Sequence, residues 1–308
     1  MTTVDLITGF LGSGKTTFMK KYVRYLMDAG HKVCILENDF GAVNVDTMLL
    51  QELSDDGCGI EMVAGACDKH CHQRRFKTKL IAMSMSGYDY VVVEPSGVFD
   101  VDEFFDTLRE SPLDRMYTCG SVITIVDPTL GELSEGADYL LASQAAVAGT
   151  IVFSHTECGA DVTCALQRIA SAMKKIRCDR DPSSYYIAKP ISELTSDDLQ
   201  RISVSGCREA SFIKRSDDRE GYDSVYFLNI DPPVEKLRRV SDEIFSDPDC
   251  GGVFRVKGFT KESGQWYEIN AVRSSIEIKP IPNGQSVIIV IGENLNKVKI
   301  SEYFKKEN

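Results

Sequence analysis

Short apolar runs recur along the first two hundred residues, at 4–8, 32–36, 90–93, 121–126, 150–153 and 185–188. Between them lie longer stretches with helical spacing. In 16–29, Phe18, Tyr22, Leu26 and Ala29 share one side and Gly30 supplies a stop. Strands buried on both faces read as continuous apolar runs, so this alternation predicts an α/β domain built on a mostly parallel sheet. Its ligand site is expected at the carboxyl ends of the strands. The stretch 195–221 is polar and irregular and reads as a junction. Beyond it, 224–230, 252–259, 266–272, 275–281 and 286–291 are strand-like, while 232–245 and 295–304 are helix-like. Asn283-Gly284 has the chemistry of a hairpin turn. The pattern therefore predicts two domains, 1–200 and a smaller α+β domain at 222–308, joined by 201–221, with no internal repeat.

Between the first strand and the first helix stands Gly9-Phe10-Leu11-Gly12-Ser13-Gly14-Lys15-Thr16-Thr17, which fits G-x-x-x-x-G-K-[ST] in the context where that pattern has a mechanism. Glycines let backbone N–H groups curl around a phosphate, and the helix N-terminus adds partial positive charge. Gly12, Ser13, Gly14 and Thr17 would line the phosphates. Lys15 would reach the β- and γ-phosphates, and the Thr16 hydroxyl would hold Mg²⁺. The chain is expected to bind a nucleoside triphosphate.

Composition narrows the setting. Of the 308 residues, 43% are hydrophobic and 26% charged, which is ordinary for a globular chain with a sizeable core. The net charge of −11 disfavours nucleic acid, and the cluster Arg74, Arg75, Lys77, Lys79 reads as a solvated helix face. No apolar run approaches a membrane span, and the N-terminus passes straight into a strand, so a cytosolic location is expected. There, ten cysteines suggest reduced thiols and metal ligands rather than a disulfide framework.

A second motif follows the strand Val91-Val92-Val93, which ends in Glu94-Pro95-Ser96-Gly97. In P-loop proteins an acid at this strand end holds Mg²⁺, and the N–H of a glycine such as Gly97 can sense the γ-phosphate. Glu94-x-x-Gly97, the Gly-rich loop, and Glu37-Asn38-Asp39-Phe40-Gly41 with Asp46 together resemble the CobW-like branch of the metal-handling P-loop GTPases. Arg255-Val256-Lys257-Gly258-Phe259 and Val290-Ile291-Gly292-Glu293-Asn294-Leu295 look like signatures of the CobW C-terminal domain, so the resemblance covers nearly the whole chain. It implies a cytosolic GTPase that uses GTP and Mg²⁺ and assists the handling or insertion of a transition metal. Relatives act in zinc homeostasis, cobalamin synthesis and nitrile hydratase activation.

Two departures bear on that resemblance. The guanine-reading Asn-Lys-x-Asp is replaced by Ser154-His155-Thr156-Glu157. Glu157 keeps a carboxylate for the base, whereas Ser154 and His155 cannot reproduce the Asn amide contact or the Lys packing. A lost contact of this kind typically costs about 1–3 kcal/mol. The family's Gly-Cys-x-Cys-Cys reads here Gly65-Ala66-Cys67-Asp68-Lys69-His70-Cys71-His72. On a helix, Cys67, His70 and Cys71 would share one face, with His72 pointing elsewhere. Thiolate and imidazole suit Zn²⁺, and also cobalt, nickel or copper, and Arg74 and Arg75 would favour the thiolates. Cys58 stands as a fourth-ligand candidate, while Cys34, Cys119 and Cys178 read as small hydrophobes.

The expectation is thus a P-loop GTPase coupling nucleotide state to metal transfer. Lys15 and Thr16 hold phosphates and Mg²⁺; Glu37 or Asp39, and Glu94, are the acids around the metal-bound water; Cys67, His70 and Cys71 bind the cargo ion. Segments 37–46 and 94–99 are the switches. A client metalloprotein is the implied partner, and a homodimer is left open. Two rivals are a nucleotide-dependent client binder with little turnover and a structural or redox Cys/His element, and a small-molecule kinase.

Overall fold

The computed structural model describes residues 1–38, 50–63, 69–96, 101–129, 134–156, 159, 161–208, 223–273 and 275–305. The chain divides into two compact units, Met1–Arg215 and Ser216–Asn308.

The first unit begins with β1 (Thr2–Gly9), α1 (Lys15–Asp28), β2 (Val33–Asn38), α2 (Gln51–Asp55) and β3 (Gly59–Val63). It continues through α3 (Lys69–Met85), β4 (Tyr90–Pro95), α4 (Val101–Arg109), α5 (Leu113–Met116) and β5 (Tyr117–Val126). Then come α6 (Glu135–Val147), β6 (Thr150–Phe153), α7 (Val162–Lys175), β7 (Tyr186–Ala188) and α8 (Ser196–Ser203). The seven strands form one sheet in the order β3-β2-β4-β1-β5-β6-β7, with every pairing parallel.

Alternation along each strand sends side chains to opposite faces. On one face Ile7, Ile35, Val92, Ile123 and Val152 pack under Phe18, Met19, Tyr22 and Val23 of α1 and Leu199 and Ile202 of α8. On the other, Val4, Leu6, Leu36, Val91 and Val93 meet Phe76, Leu80 and Met83 of α3 and Phe104 of α4. Each of these large side chains contributes about 1.5–3 kcal/mol by leaving water, an upper estimate for a compact unfolded chain.

Two elements differ from the expectation. The edge strand β3 lies in Gly-Ile-Glu-Met-Val, only one of whose residues is fully buried, so no apolar run marks it. The stretch from Thr195, read as irregular, opens a helix. Thr195 and Asp198 form a reciprocal cap, and Leu199 and Ile202 complete the core beneath α1.

The first face also holds a buried carboxylate. Asp5 accepts from the Tyr22 hydroxyl at 2.7 Å and from the Ser121 N–H at 2.7 Å. Burial raises its pKa to about 6 against these bonds. The native state therefore keeps this proton after the unfolded chain has lost it, and stability drains away as pH rises from about 4 to about 6. Above that range the ionised group costs on the order of 3 kcal/mol. Urea unfolding of Asp5→Asn and wild type across pH 4–7 should show their stability difference moving toward the variant by about that amount. A difference independent of pH would show that Asp5 keeps its ordinary pKa.

The second unit runs β8 (Asp223–Leu228), α9 (Val234–Ser246), β9 (Gly252–Glu262), β10 (Gln265–Val272), β11 (Ser275–Ile281), β12 (Val287–Glu293) and α10 (Lys297–Lys305). Its antiparallel sheet has the order β11-β10-β9-β12-β8, with Leu237, Val240, Ile244 and Ile300 covering one face. Asn283-Gly284 is not a hairpin turn. β12 pairs with β9 and β8, so the connection from β11 has to pass the ends of β10 and β9. There Gly284 lies against Trp266, where a Cβ would come within 2.7 Å of the indole. Tight hairpin connections join β9 to β10, through Ser263 (φ 50°) and Gly264 (φ 87°), and β10 to β11, where Val272 pairs with Ser275.

Candidate functional site

The strands of the first unit change character at their carboxyl ends. On the face shared with α1, the apolar Ile35, Val92, Ile125 and Val152 are each followed two positions on by a polar residue, namely Glu37, Glu94, Asp127 and Ser154, beside Gly9 of β1. One periodicity thus builds the core and then rims it with polar groups.

Gly9 cannot carry a side chain, because a Cβ there would lie 2.2 Å from the Ile125 carbonyl oxygen. Gly14 takes the left-handed conformation (φ 87°) that turns the chain into α1, whose N-terminus has no side-chain cap. Its first N–H groups therefore suit an anion. Lys15 is buried and its Nζ donates to the carbonyls of Gly9 at 3.0 Å and Phe10 at 3.3 Å, which folds the ammonium back over the loop. Gly12 and Thr16 are half-buried, Ser13 is buried and Thr17 is exposed on the first turn.

The Thr16 hydroxyl donates to Glu94 Oε1 at 3.0 Å. Glu37 is the register partner of Glu94 across β2 and β4, and both are buried. Parallel neighbours stand about 4.8 Å apart, so the two carboxylates stand at one level on the β4 side of the loop. A divalent cation fits this donor set, since hard oxygen ligands and excess negative charge suit Mg²⁺. Asp39 and Gly97 lie outside the described residues.

The segment after β6 approaches the loop from the other side. A Cβ on Gly14 would lie 3.6 Å from Ser154 Cβ, so position 154 touches the P-loop itself. The Ser154 hydroxyl donates to the Val126 carbonyl at 3.3 Å. His155 sits at φ 49°, its Nδ1 3.2 Å from Asp127 Oδ2. Burial pushes the Asp127 carboxyl up, but bonds from His155 and from the Thr129 hydroxyl and N–H outweigh it and hold the pKa below its ordinary value. Neither sequence motif included Asp127; its only signal is its place at the end of an apolar strand. Glu157 lies outside the described residues.

The Cys/His run is described in part. Cys67 lies outside the described residues, and of His70 the backbone alone is described, in the first turn of α3. Cys71 is half-buried and His72 fully buried. His72 opens the inward stripe continued by Phe76, Leu80 and Met83, at helical spacing. The Cys58 thiol donates to the Gly59 carbonyl at 3.3 Å and packs in the core under α1. Among the described residues no cluster of three His, Cys, Asp or Glu groups is assembled for a metal.

Residues 3–182 match the CobW/HypB/UreG nucleotide-binding domain, and residues 230–307 match the C-terminal domain of the cobalamin synthesis protein cobW. The zinc chaperone YeiR of Escherichia coli is 30% identical over 131 residues, which are 42% of this chain and 39% of YeiR. The zinc chaperone YjiA of the same organism is 25% identical over 54% of this chain and 53% of YjiA. The zinc-regulated GTPase metalloprotein activator 1 of Schizosaccharomyces pombe is 23% identical, over 96% of this chain and 83% of its own. The matched region thus spans about half or less of the two bacterial relatives. An all-parallel sheet with a P-loop after its central strand agrees with the longer of the two domain matches, and the chain belongs to the CobW/HypB/UreG family, with a CobW C-terminal domain following its nucleotide-binding domain.

Proposed function

We propose that this protein hydrolyses GTP and uses the change of nucleotide state to bind and release a transition-metal ion, Zn²⁺ foremost, for a client metalloprotein in the cytosol. One observation supports it above the rest. β3 lies beside β2, with Val63 in register with Asn38, one residue beyond Glu37. β3 therefore ends, at Val63, on the same carboxyl edge of the sheet as Glu37 and Glu94, and the Cys/His run follows it in sequence. A metal site placed there responds to events at the γ-phosphate without a long relay. The named relatives are zinc chaperones and a zinc-regulated GTPase. Among the described residues no helix is long and apolar enough to cross a membrane, and no disulfide joins any of the eight described cysteines, which suits a reducing compartment.

In this mechanism the loop N–H groups and Lys15 bind the triphosphate and neutralise its charge. Thr16, Glu94 and Glu37 hold Mg²⁺, which supplies charge stabilisation at the phosphates, and the carboxylates orient the attacking water. Segments 37–46 and 94–99, which run on beyond the described residues, would be the switches that respond to loss of the γ-phosphate. Cys67, His70 and Cys71 hold the cargo ion with an open position for exchange. A chelator competition assay tests the metal site. Wild type should bind about one Zn²⁺ per chain, and Cys67→Ser/Cys71→Ser should lose that binding, since thiolates supply most of the affinity. Equal zinc affinity in the double variant would overturn the site.

The base-reading segment gives a second test. Ser154 stands beside the Gly14 position and donates its hydroxyl to Val126, and a serine has no side-chain amide to offer the base. GTP should be preferred over ATP only weakly. Ser154→Asn/His155→Lys/Glu157→Asp should raise that preference about ten- to hundredfold in competition binding. No gain would place base recognition elsewhere.

A further inference from the structure

Cys119 and Cys207 are 88 positions apart in sequence, yet their sulfurs lie 3.5 Å apart, with the Cys119 thiol donating to Cys207. Backbone architecture holds them there. Between Val4 and Leu6 of β1, β5 carries an extra residue, so its ladder bulges beside Gly120 and Ser121. Gly120 has no room for a side chain, since a Cβ would meet Asp5 Oδ1 at 2.1 Å. β6 pairs with β5 only from Ile123 onward, which leaves the preceding stretch of β5 for another partner. The chain leaving α8 takes that place. Gly206 N donates to the Ser121 hydroxyl at 3.1 Å, and Val122 N donates to the Gly206 carbonyl at 3.0 Å. Cys207 bridges Ala148, and Arg208 N donates to the Val147 carbonyl at 3.0 Å. Cys207 is thus clamped on both sides, and its contact with Cys119 is built rather than incidental. Both thiols are half-buried, within reach of a small reagent.

We propose that Cys119 and Cys207 form a reversible oxidation site, a dithiol that closes to a disulfide by exchange with a low-molecular-weight disulfide such as oxidised glutathione. The Cys207 thiolate attacks one sulfur of the oxidant, which makes a mixed disulfide and expels one glutathione thiolate. Cys119 then gives up its proton and attacks the Cys207 sulfur, which expels the second glutathione. The two protein thiols are oxidised, the disulfide of the oxidant is reduced to two thiols, and the two protons leave with them. The order follows from the hydrogen bond. The Cys119 thiol is pushed up, first by bonding to Cys207 and then by burial, so negative charge settles on the acceptor sulfur, Cys207. In the reduced chain the 205–208 segment is held by non-covalent contacts, and in the oxidised chain by a covalent tie to β5 as well. That tie lies shortly before Ser216, where the second unit begins.

The test equilibrates the full chain in glutathione buffers from reducing to oxidising, quenches with acid and alkylating agent, and maps the cysteines by mass spectrometry. The expected result is a cross-link joining the Cys119 and Cys207 peptides, with two hydrogens lost from the intact mass and a melting temperature raised by roughly 5 °C. Cys119→Ser should trap glutathione on Cys207, whereas Cys207→Ser should leave Cys119 largely unmodified. Free, alkylated thiols at both positions in the most oxidising buffer would overturn the proposal. So would a disulfide that joins either cysteine to a different partner, or one confined to Cys67 and Cys71. Equal glutathionylation of the two single variants would overturn the order of attack.

Discussion

Replacing Lys15 by Ala should lower the affinity for Mg²⁺–nucleotide about a hundredfold or more while leaving the fold intact. The ammonium donates to Gly9 and Phe10, so it already stands over the loop in which phosphate oxygens would sit. Charge-assisted bonds are worth about 1.5–3 kcal/mol each, and Lys15 would make at least two to the β- and γ-phosphates. What the fold loses is small by comparison, since those two bonds stay within a loop and its own helix. Titration calorimetry on variant and wild type, with circular dichroism as the fold control, reads both effects. Unchanged affinity in a folded variant would mean that the Gly-rich loop does not bind phosphate.

Glu94→Gln should separate binding from turnover. The Gln carbonyl oxygen can still accept from the Thr16 hydroxyl, as the carboxylate does. The variant also removes one of two buried carboxylates that face each other in register. Its melting temperature should therefore equal or exceed that of wild type, because like charges at close range in a poorly solvated site repel. Hydrolysis should fall by about 10²–10³, the loss typical when one preorganised group is removed from a charged transition state. Stopped-assay phosphate release at saturating Mg²⁺ and GTP measures it. A variant within a few-fold of wild type would take Glu94 out of the hydrolytic machinery.

Much of the first unit was legible because its strands are buried on both faces. The runs at 90–93, 121–126 and 150–153 begin or end within a few residues of β4, β5 and β6, and the run at 150–153 coincides with β6. The first helix was marked by the glycine run before it and Gly30 after it. What escaped has a common cause. β3 is an edge strand with one fully buried residue, so neither a continuous run nor a clean alternation betrays it. α8 looked like a linker because most of its positions are polar, although Leu199 and Ile202 anchor it. Asn283-Gly284 misled because local turn chemistry cannot report that β12 will seek β9, a pairing settled by the whole sheet.

The candidate site was legible as motifs and not as a rim. The Gly-rich loop and Glu94 announce themselves by pattern, and their mutual contact through Thr16 agrees with it. Asp127 and its link to His155 have no motif, because they depend on where β5 and β6 end relative to each other. His72 was set aside as pointing away from the other ligand candidates. It proves to head the buried stripe of α3, a fact that helical phase reveals only once the helix start at Lys69 is known. The Cys119–Cys207 contact could not be read at all, since it rests on a bulge and on a segment returning from far along the chain.

The central claim is that nucleotide state governs the metal site, and zinc affinity measured in the two states tests it most directly. Chelator competition on the same preparation, loaded with a non-hydrolysable GTP analogue and with GDP, should give zinc affinities that differ by at least fivefold, the lower bound of ordinary coupling between two sites. Reciprocity adds an internal check, because zinc must then change the ratio of GTP-analogue to GDP affinity by the same factor. Equal zinc affinity in the two states, with one ion still bound per chain, would contradict the coupling and leave two independent sites on one protein.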